Sequence, residues 1–524
     1  MTTVLHALPG FEQGYGFRSS ITHQPEEGKM KRRDFIKSTM AAAVSLSPLS
    51  KLACSAPPTD EFIRLDALAQ AELVRKGEVS ARELVRAAIR RIETLNPQLN
   101  AVTTKLFDRA LEKAEGPLPE GPFAGVPYLL KDLVEYAGVR LTYGSVAFQN
   151  NISEVTPPLV AAEEKAGLII MGKTNTPEFG LLPSTEPTLL GPSRNPWNPE
   201  YSPGGSSGGA AVAVASGMLP MAQASDGGGS IRIPASNCGL FGLKVSRGRT
   251  MYIGRKGPGE LSVFHCVSRS VRDSAALLRA TNDPANGLPA PTPEAGSKPG
   301  ALRIAVATQD MYGNKPHPEC EKAVHESAKL CESLGHHVEE ANLSFDGEQF
   351  VHHFLTLWSS IPAGTIAQIT QATGSPPPRE AFEPWTWGLA ELYKTRKPNA
   401  MQEALQFMAG LTRQVAAFHE KYDIFLTPVL ASPPPKIGYL APTVEFDELM
   451  KRVLSFVTFT PIANATGIPA MSVPLHWTGD GLPVGSHFSA KLGAEATLLS
   501  LAFQLEEARP WAKKWAPVSA VKVM

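Results

Sequence analysis

Ser230 closes a run of three glycines, Gly227, Gly228 and Gly229, a pattern that would set an attacking hydroxyl beside free backbone amides. With no Cβ in the way, the N–H groups of such a run can turn inward as a nest. A nest of this kind can serve as an oxyanion hole, holding the negative oxygen that forms when a hydroxyl adds to a carbonyl. A plain tight turn has the same letters, so the reading needs a base as well. Lys131 is the candidate, at the end of the apolar run Val126-Pro-Tyr-Leu-Leu130. Burial at a strand end disfavours the charged form of a lysine and lowers its pKa. A neutral amine there could take a serine proton. The alternative is a lysine that snorkels to the surface.

The upstream segment Ser202-Pro-Gly-Gly-Ser-Ser-Gly-Gly209 leads into a run of Ala and Val that ends at Ser216. Gly-Ser runs are usually flexible linkers, but a linker would not open a small apolar helix that can only be buried. A phosphate-gripping loop would need a lysine after Gly208 or Gly209, and none is there. Gly204-Gly-Ser-Ser-Gly208 matches the letters of a nucleophile elbow, yet no suitably placed histidine follows. What remains is a serine-rich site without a histidine base.

Together these segments resemble the amidase signature family. The likeness runs from about Asp60 to Pro510 and is carried by Gly204-Gly-Ser-Ser-Gly-Gly209, Asp226-Gly-Gly-Gly-Ser-Ile-Arg-Ile-Pro-Ala-Ser236 and Cys238-Gly-Leu-Phe-Gly-Leu-Lys244. Gly125-Val-Pro-Tyr-Leu-Leu-Lys-Asp132, Gly172-Lys-Thr-Asn-Thr-Pro-Glu178, Asn195-Pro-Trp197, Asp423-Ile-Phe-Leu-Thr-Pro428 and Thr466-Gly-Ile-Pro-Ala470 add to it. The resemblance implies a Ser–Ser–Lys triad: Ser230 as nucleophile, Ser206 as a bridging serine on a cis peptide bond, and Lys131 as base. It also implies an α/β fold, a mixed central sheet covered by helices on both faces, acting on a small-molecule amide without metal or cofactor. Serine esterase activity on the same scaffold is the chemical neighbour, and an idle binding protein the more distant one. Ser225 and Gly227 depart from the family's usual residues, the former keeping the hydroxyl of the usual threonine. Asp226 and Arg232 are expected to pair and brace the loop, and Ser207 to cap the Ala-rich helix. Gly121 to Leu133 and Arg194 to Asn198 look most like the 6-aminohexanoate cyclic dimer hydrolases, hinting at a linear or cyclic aliphatic amide. A homodimer is a further expectation from the family.

The elements that must position these residues read as mixed α/β. Apolar residues at helical spacing from Glu72 to Leu95, interrupted near Gly77 and Ser80, predict two helices. Apolar runs at 127–130, 168–171, 304–307, 424–427 and 470–474 predict strands. The Pro-rich stretch 286–300 reads as a connector between two lobes of one domain spanning 57–524.

Composition narrows the partners. With 50 Lys plus Arg against 50 Asp plus Glu, the chain has no net charge with which to attract nucleic acid or an anionic membrane. After residue 60 no apolar run reaches the ~18 residues of a membrane span. The five cysteines, Cys54, Cys238, Cys266, Cys320 and Cys331, form no metal-like spacing and read as free thiols. Residues 1–56 read as an export signal of the twin-arginine type: Lys31-Arg-Arg-Asp-Phe-Ile-Lys37, a short apolar stretch to Leu49, then small residues. That predicts a periplasmic or extracellular enzyme. Met30 is a possible natural start, and Leu52-Ala53-Cys54 resembles a lipoprotein box, with Lys51 against it.

Overall fold

Two mixed β-sheets frame the chain, as seen in a computed structural model that describes residues 60–251, 259–293 and 299–524. The export signal, Met30 and Cys54 lie outside the described residues. Strands β1 (Val102–Lys105), β2 (Val126–Lys131) and β3 (Leu168–Thr174) form a small sheet in the order β1-β3-β2. The others are β4 (Met221–Asp226), β5 (Phe241–Lys244), β6 (Val263–Ser268), β7 (Arg303–Val306), β8 (His337–Glu340), β9 (Ile424–Pro428), β10 (Ala470–Trp477) and β11 (Pro483–Ser489). They make a large sheet ordered β4-β6-β5-β10-β11-β9-β7-β8. Pairing with β7 is parallel on both sides, and the remaining large-sheet pairs are antiparallel. Strands from both sides of the Pro-rich connector thus share one sheet.

The expected mixed architecture is present, as two sheets in place of one. The seam falls between β2 and β4, where a side chain replaces part of the backbone ladder. The Lys131 N–H donates to Gln223 Oε1 at 3.3 Å, and Gln223 Nε2 donates to Glu163 Oε2 at 2.8 Å. This seam brings Lys131 beside the serines of β4.

Local sequence explains the supporting helices. Ala81–Leu99 starts at a capping box, in which the Glu83 N–H donates to Ser80 Oγ and the Ser80 N–H to the Glu83 carboxylate. Its buried face, Leu84, Val85, Ala88, Ile92 and Leu95, recurs at helical spacing, and Asn100 ends it in the left-handed region with φ of 50°. Ala67–Arg75 precedes it across the expected break. The helix Gly208–Ala215 is buried on every side, which its Gly, Ala and Val residues allow. A Cβ at Gly209 would fall 2.4 Å from the Asn175 backbone nitrogen, so only glycine permits this approach to the end of β3. Cys320 and Cys331 sit on one helix, Pro318–Ser333, as buried free thiols, and Cys238 and Cys266 are likewise free. No described helix is long and apolar enough to cross a membrane.

Candidate active site

Lys131 ends β2 with its side chain fully buried. Its Nζ donates to Ser206 Oγ at 2.6 Å, Ser207 Oγ at 2.9 Å and Ser225 Oγ at 3.0 Å. No carboxylate lies within ion-pair distance of it among the described residues. Burial pushes the ammonium well below the ordinary lysine range, opposed only by the more remote charge of Asp226. An ammonium offers three N–H groups to three hydroxyls, whereas a neutral amine offers two and a lone pair. In the neutral state one hydroxyl must therefore turn and donate to Nζ. Ser207 Oγ already donates to the Ser225 carbonyl at 3.1 Å and accepts from the Ser225 N–H at 3.2 Å. Ser206, the nearest of the three, has no other bond for its hydroxyl proton among the described residues.

That arrangement revises the expectation for Ser207. It does occupy the N-cap position of Gly208–Ala215, but its side chain caps nothing. The hydroxyl is turned to Lys131 and β4, and the Gly208 N–H is served by Thr185 Oγ1 at 3.2 Å. Ser206 follows a cis Gly205–Ser206 peptide bond, as the resemblance implied.

The nucleophile loop hangs from Asp226 at the end of β4. Asp226 and Arg232 pair as expected, through two bonds of 2.9 Å from Nε and Nη2. Burial alone would raise the Asp226 carboxyl, but the guanidinium overrides it and holds the group well below the usual carboxylate range. Asn464 joins the pair: its Nδ2 donates to Asp226 Oδ1 at 2.9 Å and its Oδ1 accepts from Arg232 at 2.6 Å. His487 completes it, with Nε2 2.9 Å from Arg232 Nη1 and Nδ1 3.0 Å from Thr427 Oγ1. Burial and the adjacent Arg232 keep this imidazole neutral. Arginine only donates, so Nε2 accepts and Nδ1 carries the proton. Asn464 and His487 escaped the sequence reading, because nothing in a linear pattern ties them to Arg232, more than 200 positions away, and Thr427 entered it only as part of Asp423–Pro428, without this role.

The triglycine is only partly free. The Gly229 N–H donates to Asp226 Oδ1 at 2.8 Å, which corrects its expected place in an oxyanion hole. At φ of +136° Gly229 supplies the bend of the loop. The amides of Gly227 and Gly228 have no hydrogen-bond partner among the described residues. Thr460 Oγ1 donates to the Gly228 carbonyl at 2.7 Å, holding that peptide from the other side. Ser230 is 7% exposed, and its hydroxyl has no partner among the described residues. Phe354 and Trp358, stacked at 5.7 Å between ring centroids, cover the face of Gly227 and Gly228. Tyr143 and Phe179, both at φ near +50°, are joined by a 2.7 Å backbone bond and belong to an aromatic cluster with Phe148 and Phe382. Bulky residues in that region are strained, and such strain gathers at functional sites. No group of His, Cys, Asp and Glu suited to a metal occurs among the described residues.

Comparison with known proteins places the chain among amidases. The family model described as Amidase matches residues 83–499. The putative amidase AmiC of Mycobacterium leprae is 39% identical over 453 residues, covering 86% of this chain and 96% of that protein. The 6-aminohexanoate-cyclic-dimer hydrolase of Paenarthrobacter ureafaciens is 36% identical over 479 residues, covering 85% and 95%. A solved 6-aminohexanoate cyclic dimer hydrolase superposes with a TM-score of 0.80 at 34% identity, over 87% of this chain and 99% of that one. A bacterial aryl acylamidase superposes with a TM-score of 0.77 at 25% identity, over 86% and 97%.

Proposed function

The chain belongs to the amidase family, and on that premise we propose that it hydrolyses linear or cyclic aliphatic amides through an acyl-enzyme on Ser230. Ser230 Oγ attacks the amide carbon while its proton passes to Ser206 Oγ, whose own proton moves to neutral Lys131 Nζ. The amides of Gly227 and Gly228 receive the oxyanion. Collapse breaks the C–N bond, and Lys131 returns the proton through Ser206 to the leaving amine. Water then cleaves the ester by the same relay in reverse. The observation that carries this reading is Lys131: buried, without a carboxylate partner, and bonded to three serine hydroxyls. The apolar wall of Phe354 and Trp358 and the named activity of the cyclic-dimer hydrolases support an aliphatic substrate.

A fluorophosphonate tests the nucleophile directly. It should modify Ser230 alone, as read by peptide mass spectrometry, and adduct formation at Ser207 would overturn the assignment. Turnover on a panel of amides, lactams and esters then separates amidase from esterase activity, with amides and lactams expected to be cleaved.

We further propose export of the folded enzyme by the signal in residues 1–56. The paired Arg32 and Arg33 ahead of a short apolar stretch support it. Replacing both arginines with lysine should leave a longer precursor in the cytoplasm. Normal export and trimming of that variant would exclude a twin-arginine signal, and N-terminal sequencing of the mature form would settle Met30 and Cys54.

A further inference from the structure

Behind the nucleophile loop is a cavity of about 320 Å³, lined by neither Ser230 nor Lys131. It lies between β9, β11, the helix Ala400–Lys421 and the segment 458–463. Thr458, Phe459 and Ile462 form part of its wall, while Thr460 of the same segment and Asn464 just after it hold Gly228 and Asp226 on the catalytic side.

The lining has one kind of charge. Phe345, Phe418, Phe425 and Phe459 supply aromatic rings, and Asp310 is the one carboxylate among the lining residues, with no lysine or arginine beside it. Two histidines, His419 and His487, also line it; burial, the largest cause for each, lowers both below the ordinary imidazole range, so they add no positive charge at neutral pH. The Asp310 carboxylate is aimed by its own loop: the N–H groups of Tyr312 and Asn314 donate to Oδ1, each at 2.9 Å. Among the described residues Oδ2 meets only Asn314 Nδ2, at 3.5 Å, and keeps acceptor capacity. Thr458 is 1% exposed, and its Oγ1 has no hydrogen-bond partner among the described residues. A buried hydroxyl left so is unfavourable and calls for an occupant that satisfies it.

We propose that this cavity binds a small organic cation, a primary ammonium on an aromatic or branched apolar body of about ten non-hydrogen atoms. The size follows from the volume, near the lower end of ligand pockets at ~300–1,000 Å³. The Asp310 carboxylate takes the ammonium, the phenyl faces take the apolar body and favour positive charge, and the Thr458 hydroxyl adds a polar contact. An anion finds no counter-charge here. The assignment does not depend on the amide chemistry proposed for Ser230.

Calorimetric titration of the full chain with 2-phenylethylamine, and with neutral 2-phenylethanol as its control, tests this. The amine should bind one to one and about tenfold more tightly than the alcohol, the scale of one charge-assisted hydrogen bond. Asp310→Asn, which keeps an acceptor for the two loop amides, should erase that preference while leaving the alcohol's affinity unchanged. Val415→Phe, which fills the cavity from the helix Ala400–Lys421, should abolish binding of both probes. Should Asp310→Asn fail to fold, Val415→Phe decides alone. Absence of amine binding, equal affinity for the two probes, or amine binding that survives Val415→Phe would each overturn the proposal.

Discussion

Ser225 and Asp226 are neighbours on β4, yet the buried clusters built on them are opposites. On one side Lys131 faces three neutral hydroxyls, and among the described residues no counter-ion lies within ion-pair distance of it. On the other, Asp226 is saturated by Arg232, Asn464 and the Gly229 amide, with His487 closing the network behind Arg232. Both ionisable groups are fully buried, but burial decides only the lysine: its ammonium is destabilised, while the guanidinium outweighs burial for the aspartate. Lys173 is intermediate, with Asp132 3.6 Å away, and burial brings it down only to about 8. The lesson is that pairing separates a brace from a reagent. A satisfied buried charge holds a loop in place, whereas an unsatisfied one is ready to exchange a proton.

The largest expected effect is on rate. Ser230→Ala should lower kcat/KM by about three or more orders of magnitude with the fold intact, as removing a covalent route does. Lys131→Arg should lose a similar factor, since guanidinium stays protonated and cannot act as base. Steady-state kinetics on a cleaved amide, with circular dichroism as the folding control, checks both. A Lys131→Arg enzyme that kept near-native activity would place the base elsewhere and end the contrast.

Stability should respond the other way round. Arg232→Met leaves the Asp226 carboxylate buried and unpaired, and should cost about 3–5 kcal/mol in denaturant unfolding. Lys131→Met should be at least as stable as the parent at neutral pH. Between the depressed folded pKa of Lys131 and the ordinary value near 10.4, the unfolded chain binds a proton that the folded chain does not. Stability therefore rises with pH across that window: the cost of burying the lysine is full below it, shrinks through it and vanishes only near 10.4, so at neutral pH it is still a net cost that methionine removes. A Lys131→Met variant that unfolds as readily as Arg232→Met would show that the lysine, too, is a brace.

How far all this was legible in the sequence follows the same division. Ser230 stood out by its triglycine and Lys131 by ending an apolar run, whereas Ser206 came only from the resemblance; the structure brings Lys131 and Ser206 into contact at 2.6 Å. The strands β2, β3, β7, β9 and β10 were legible as apolar runs. β4 was not: Met-Ala-Gln-Ala-Ser-Asp is short and half polar, because its side chains contact Lys131, Glu163 and Arg232 where a core strand would contact leucines. Ser207 matched the local pattern of a helix cap, but a buried lysine with two N–H groups to satisfy beyond Ser206 outbid the helix terminus. Gly229 carried the right letters for an oxyanion donor, and only the position of the Asp226 carboxylate shows that its amide is engaged. Asn464 and His487 reach the site through the sheet order β5-β10-β11 and from a helix distant in sequence, connections that no spacing records.

The smallest effect expected is at Ser225, where the two clusters touch, and it is the most discriminating. Its hydroxyl accepts from Lys131 Nζ at 3.0 Å and so stabilises the ammonium more than the neutral amine. Ser225→Ala removes that acceptor and should lower the lysine pKa further. A hydrogen bond to a charged group contributes about 1.5–3 kcal/mol, part of which the neutral amine also enjoys, so a shift of roughly half to one pH unit is expected. Because the unprotonated amine is the active form, the rising acid limb of kcat/KM should move to lower pH in Ser225→Ala. Activity on the plateau should fall only a few-fold, since Ser206 and Ser207 still orient Nζ. Ser225→Thr restores the hydroxyl and should return the limb to its original position. Movement of the limb to higher pH in Ser225→Ala would mean that the hydroxyl stabilises the neutral amine instead, with the proton resting on the serine side of the pair. No movement, with Lys131→Ala abolishing activity at every pH, would mean that the limb reports another group and that Lys131 titrates outside the accessible range.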